Sequence, residues 1–386
     1  MKIGLVALVL VGLSGCDSNS GVTNGGAPDL GTMTTNDLST TTNDLSMMID
    51  TNPDLRTVHD LATRDSSGDD LAGAPPDLST TDMAGDMASA SGITLCVSDS
   101  DTGAVYVFDS AADGDTAPLR TIAGETTTLF TPSAMASDLV NGELFVPDYD
   151  NNAIVVFAIG ASGDATPLRT ITGPDTGLDS PDSVWVDTVN DEIVVSNDSS
   201  DNALLIFART ADGDAAPIRT IAGPSTGLDR VEGAVIDNVH DEIVAANWNA
   251  GTVTVYSRTA DGDVAPLRTI SGNDTGLFSP NGLAVDTVND EILVADGSSA
   301  ILVFDRTADG DAIPLRMISG DATLFSDSQG SLIVDTTNDL IHLADYGSGA
   351  IFTFSRTADG NIAPLHTISG DSTLLSAPWG IAFCSP

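Results

Sequence analysis

The chain has 386 residues, with 56 Asp and Glu against 13 Lys and Arg, a formal charge of −43, 5% aromatics and 37 Gly. A field this negative argues against nucleic acid as a partner, because that interface needs positive charge to displace counterions. Lys2 is the only lysine, which removes Schiff-base and lysine-base chemistry from everything downstream. In chain order, Met1-Lys2 precedes an almost unbroken apolar run, Ile3 to Leu13, followed by Ser14-Gly15-Cys16. A mature membrane-spanning helix needs roughly 20 residues, so this shorter run reads as a secretory signal over residues 1–15. Residues 16–90 carry thirteen Asp against Arg56 and Arg64, seven Asp-Leu pairs and no aromatic residue. With so little apolar surface to offset chain entropy, they are expected to form a disordered, self-repelling linker.

Residues 91–386 repeat one unit. The marker Leu119-Arg120-Thr121-Ile122 recurs at Leu168, Ile218, Leu267, Leu315 and Leu365, at intervals of 48 to 50 residues. A period of that length built from strand patterns predicts an all-β, six-bladed β-propeller of four-stranded antiparallel blades. Within one period, Gly282 to Asp286 reads as a small-residue inner strand, Glu291 to Ala295 as the second, Ala300 to Phe304 as the third and Pro314 to Ile318 as the fourth. Proline at the start of the fourth suits an edge, since it cannot donate to a ladder. The first copy holds only the last three strands, whereas the chain ends on Pro378-Trp379-Gly380-Ile381-Ala382-Phe383-Cys384, an inner strand. Together they make one blade, so the C-terminal strand is expected to pair with the N-terminal blade and close the ring.

Leu13-Ser14-Gly15-Cys16 resembles the lipobox of bacterial lipoproteins. The resemblance implies cleavage before Cys16 and its diacylation, which anchors the protein in the bacterial cell envelope, on the periplasmic side, the outer membrane or the cell surface. With Cys16 lipidated, Cys96 and Cys384 remain, on adjacent strands of the closing blade. An oxidising compartment permits a disulfide between them, with two buried free thiols as the alternative.

The unit Ser279-Pro280-Asn281-Gly282-Leu283-Ala284-Val285-Asp286 with Glu291-Ile292-Leu293-Val294-Ala295-Asp296 resembles NHL-type repeats and the six-bladed regucalcin/gluconolactonase-like group. In that group oxygen donors at the starts of inner strands hold a divalent cation in the central channel. The matching positions are Ser133, Asp182, Glu232, Asn281, Gln329 or Gly330, and Trp379. The resemblance therefore implies Asp182, Glu232 and Asn281 as calcium ligands and a metal-dependent lactone hydrolase as one reading. The spacings are uniform, with no blade-specific insertion to shape a substrate pocket. That favours a non-enzymatic module binding a protein or carbohydrate ligand, with a structural envelope protein as a third reading.

The remaining motifs have plainer expectations. The Asp-Gly-Asp turns at residues 113–115, 212–214, 261–263 and 309–311 lack the bidentate carboxylate of an EF-hand and are expected to be tight hairpins. The repeated arginines are expected to offset neighbouring aspartates along an outer edge. His59, His240, His342 and His366 show no zinc spacing. Trp248 and Trp379 are the candidates for ligand stacking, and Trp185 is expected in the core.

Overall fold

The computed structural model describes residues 92–198, 202–326 and 330–385. The signal, lipidation and linker expectations, including Cys16, lie outside them.

Six four-stranded antiparallel sheets form the ring. In one blade the strands are Pro280–Asp286, Glu291–Asp296, Ala300–Asp305 and Arg316–Ser319. Every residue of the second strand is buried, because both faces of a blade pack against neighbouring blades. This is why the second and third strands read as continuous apolar runs instead of alternating. Inner strands are small for a related reason. A Cβ on Gly233 would strike the Asn281 carbonyl, and one on Gly330 the Trp379 carbonyl. The outer strand begins at Arg316, two residues later than the sequence suggested, since Pro314 has no N–H to pair.

The first blade combines Thr94–Asp99, Ala104–Asp109 and Arg120–Ile122 with the C-terminal strand Pro378–Ser385. Val97 lies opposite Ile381 and Leu95 opposite Phe383, so the predicted closure is the one observed. Cys96 faces Ala382, which sets Cys384 diagonally across. The two cysteines are joined by a disulfide with Cα atoms 5.6 Å apart, inside the usual span for such a bridge.

The Asp-Gly-Asp turns act as more than hairpins. The second acidic or amide side chain of each turn accepts a backbone N–H from a loop of the preceding blade. The pairs are Asp164 with Thr126, Asp214 with Asp175, Asp263 with Ser225, Asp311 with Asp274, Asn361 with Ala322 and Asp115 with Ser372, all at 2.6–2.8 Å. The receiving loop contains a glycine at positive φ, such as Gly223 at 127°, where a Cβ would collide with the Asp263 carboxylate. Six staples of this kind join every blade to the next, and the Asp115–Ser372 pair closes the circle.

The repeated arginines have partners other than those expected. Arg169, Arg219, Arg268 and Arg316 fork onto Glu143, Glu192, Glu242 and Glu291 of the second strand, not onto aspartates. Glutamate has the reach to cross from the second strand to the fourth, past the third. Each of these arginines also donates to a main-chain carbonyl of the next blade, at Arg209, Arg258, Arg306 and Arg356.

One core position breaks the apolar pattern. Where other second strands carry Cys96, Phe145, Val194, Val244 or Leu293, the sixth blade carries His342, fully buried. Its cross-strand partner is Thr353 instead of valine or isoleucine, and imidazole Nδ1 and the threonine hydroxyl are hydrogen-bonded at 3.0 Å. Burial pushes His342 down to about 4, opposed by Asp335 and reinforced by His366. The unfolded chain therefore binds a proton between pH 6.5 and 4 that the folded chain refuses, and stability falls as pH drops through that window. Relative to a His342→Val/Thr353→Val variant, the wild type should lose about 2 kcal/mol between pH 7 and pH 5. Urea midpoints of both proteins at the two pH values check this, and parallel losses would refute it.

Candidate ligand-binding site at the channel mouth

Inner strands converge on the axis and leave a channel of only about 30 Å³, lined by small and apolar residues such as Ala134, Gly233, Gly282 and Leu332. That is room for a water or two. Trp185, expected in the core, is partly buried between blades and lines this channel. At the end where inner strands begin and second strands finish, the channel opens into a cavity of about 180 Å³.

Two sets of repeat-equivalent positions surround this mouth. The residue following each second strand is Ser100, Tyr149, Asp198, Trp248, Gly297 or Tyr346, at intervals of 49 or 50. The residue just before it is always Asp or Asn, because that side chain accepts backbone N–H groups of the mouth loops. Asp148, for example, receives Phe130 and Thr131, and Asp99 receives Ser376 and Ala377. The scaffold thus dictates one position and leaves its neighbour free. The second set is at the inner-strand starts, Ser133, Asp182, Glu232, Asn281, Gly330 and Trp379.

Charge in the cavity is concentrated on Asp182, Asp198, Glu232 and Arg230. Arg230 Nε lies 2.8 Å from Glu232 and 3.4 Å from Asp198, and its guanidinium stacks on Trp248 at 4.2 Å. Tyr149 donates its hydroxyl to Asp198 at 3.2 Å. Asp182 is 3% exposed, and its Oδ2 receives no donor among the described residues. Burial, then the charges of Glu232 and Asp198, push the Asp182 carboxyl well up. Burial also pushes Glu232 up to about 7, although Arg230 pulls the other way. On the facing wall Tyr346 meets Trp379 edge to face at 5.4 Å, and the buried Trp379 indole N–H has no acceptor among the described residues.

The expected calcium ligands are spread over the two spaces. Asp182 lines the mouth cavity, Asn281 lines the narrow channel below it, and Glu232 touches both. Arg230 already supplies the positive charge beside Glu232. Among the described residues no group of three or more His, Cys, Asp or Glu side chains is arranged to hold a metal ion. A calcium ion takes six to eight oxygens, more than Asp182, Glu232 and the Asn281 amide supply between them. Of the two stacking candidates, Trp379 lines the cavity, whereas Trp248 serves as the platform beneath Arg230. Tyr149, Asp198, Arg230 and Tyr346 escaped the reading of the sequence. Their signal was departure from the repeat at positions where the fold demands nothing.

No protein-family model and no curated protein sequence matches the chain. Among solved structures, a chain from the crystal structure of a nidogen/laminin complex is similar with a TM-score of 0.56 and 14% identity, over 76% of this chain and 98% of that one. At this identity the similarity speaks for the fold alone.

Proposed function

We propose that the protein is a lipid-anchored lipoprotein of a bacterial cell envelope, whose NHL-like propeller is a binding module that holds a protein or carbohydrate ligand at the channel mouth. The observation that carries this reading is the confinement of irregularity. Staples recur in all six blades and the arginine–glutamate fork in four, while the mouth positions vary from blade to blade and enclose a cavity with a buried carboxyl oxygen that receives no donor among the described residues. Aromatic walls with a few fixed polar groups are the usual make-up of a ligand site. The similar chain from a complex of two proteins is in keeping with a propeller used for docking. The Leu13-Ser14-Gly15-Cys16 motif supports the anchor.

The full chain and a Tyr149→Ala/Tyr346→Ala variant, used as baits on a cell-envelope extract, test the site. A ligand retained by the wild type should be lost by the variant while the melting temperature holds, and equal retention would overturn the reading. For the anchor, Cys16→Ser should move the protein from the membrane fraction to the soluble one.

A further inference from the structure

The hydrogen-bonding state of the cavity wall narrows the ligand chemistry. Ser100 donates its hydroxyl to the Ala377 carbonyl at 3.3 Å and Thr131 to Asp150 at 2.6 Å. Ser133 donates to the Pro181 carbonyl at 3.1 Å and Tyr149 to Asp198. These four lining hydroxyls therefore turn lone pairs, not protons, toward a ligand. The Asp182 Oδ2 atom is a further acceptor, and Asp198 and Glu232 add two more carboxyl groups to the lining. Against three acids stands one cation, Arg230, held to the wall by Glu232, Asp198 and the Trp248 ring. A ligand that donates hydrogen bonds and brings positive charge suits this wall, and its charge would draw the raised Asp182 and Glu232 carboxyls back toward their ionised forms.

A polyol donates and accepts equally and carries no charge, so it matches this wall poorly. An alkylammonium has three donors and no acceptor, and its charge is attracted to the faces of Tyr149, Tyr346 and Trp379. Its hydrocarbon stem suits the apolar part of the same rings. The donors in the wall are the Tyr346 hydroxyl, the Arg230 guanidinium and the buried Trp379 N–H, which lacks an acceptor among the described residues. A peptide carbonyl beside a lysine supplies one. The chain is itself free of lysine beyond Lys2, so no lysine of the propeller competes for such a seat and Arg230 is its one resident cation.

We propose, building on the reading of the mouth as a ligand site, that this cavity recognises a primary alkylammonium group, presented as a lysine side chain of a partner protein. Asp182 and Asp198 receive the ammonium, and the aromatic wall flanks its stem.

The test titrates the full chain with acetyl-Gly-Lys-Gly-amide, with the norleucine analogue, with 1,5-diaminopentane and with methyl glucoside, following tryptophan fluorescence and heat. The lysine peptide should bind saturably, the norleucine peptide and the glucoside should not, and added salt should weaken binding. Asp182→Asn and Asp198→Asn should each weaken it by about tenfold or more. Arg230→Gln, which removes the resident cation, should tighten it, an outcome that general damage to the fold would not produce. Weaker binding of the diamine supports a peptide source; equal binding keeps the ammonium and assigns it to a free amine. Equal binding of the norleucine peptide, or no loss in either aspartate variant, overturns the proposal. If the lysine peptide fails while another ligand binds and is lost in Tyr149→Ala/Tyr346→Ala, the mouth remains a site and the ammonium assignment falls. If nothing binds there, both fall.

Discussion

Replacing Cys96 and Cys384 with alanine should lower the unfolding free energy by about 3–5 kcal/mol. The two cysteines are separated by 288 residues, so the bridge constrains nearly the whole repeat region in the unfolded state. Loop-closure entropy grows only slowly with length, yet a loop this long belongs at the upper end of the usual range. The bond also fixes the one blade whose strands come from opposite ends of the chain. Reductant should lower the urea midpoint of the wild type and leave that of the double variant unchanged. An unaltered wild-type midpoint under full reduction would show that strand pairing alone maintains closure. Deleting residues 378–386 should do more, because Leu95, Cys96 and Val97 would lose their inner partners and the ring its seal. That truncated chain should not reach the native fold, as far-ultraviolet and near-ultraviolet circular dichroism can establish.

Removing a rung of the arginine ladder should cost nearly as much. Glu192 receives two hydrogen bonds from Arg219 at 2.7 Å and one from Arg258 of the next blade at 3.3 Å. Their side chains are 13–17% exposed, enough desolvation for an orphaned charge to be expensive. Glu192→Ala leaves two guanidinium groups without their shared carboxylate and should destabilise by about 3 kcal/mol. A Glu192→Leu/Arg219→Met pair should cost less than Glu192→Ala alone, since it takes the carboxylate from one guanidinium, Arg258, which keeps Asp241 as a partner, instead of from two. Arg120 provides an internal comparison. Its blade has Thr94 in place of the glutamate, and it donates only to the Ile159 and Ala161 carbonyls. Arg120→Gln should accordingly cost about 1 kcal/mol. Equal losses at Arg120 and Glu192 in thermal denaturation would contradict a role for the ion pairs.

The repeat made the architecture legible, because a unit that recurs six times reports its own period and reveals at each terminus what is missing. Ring closure followed from counting strands, and the inner strand's small residues from the convergence of blades. Contacts between blades were harder to read. Glu192 and Arg258 are 66 residues apart and Asp263 and Ser225 are 38 apart, and nothing local in either segment says which carboxylate meets which donor. The mouth was half legible. Asp182, Glu232 and Trp379 could be named from alignment to inner-strand starts, but Asn281 went with them although it belongs to the channel below. Arg230 occupies a position that is Thr131, Ser180, Ser279 or Ala377 in other blades. Its role depends on Trp248 standing under it, which only the folded ring reveals.

At the seam of the first blade the backbone N–H of Thr94 donates to the Ser385 hydroxyl at 3.0 Å, so the ring's two extremities are neighbours. A molecule whose ends touch has no privileged starting point. Joined there by a short linker and reopened within any other outer loop, the same six sheets should assemble from a permuted chain. Such a permutant would move the attachment point of any N-terminal leader around the circumference and leave the mouth unchanged.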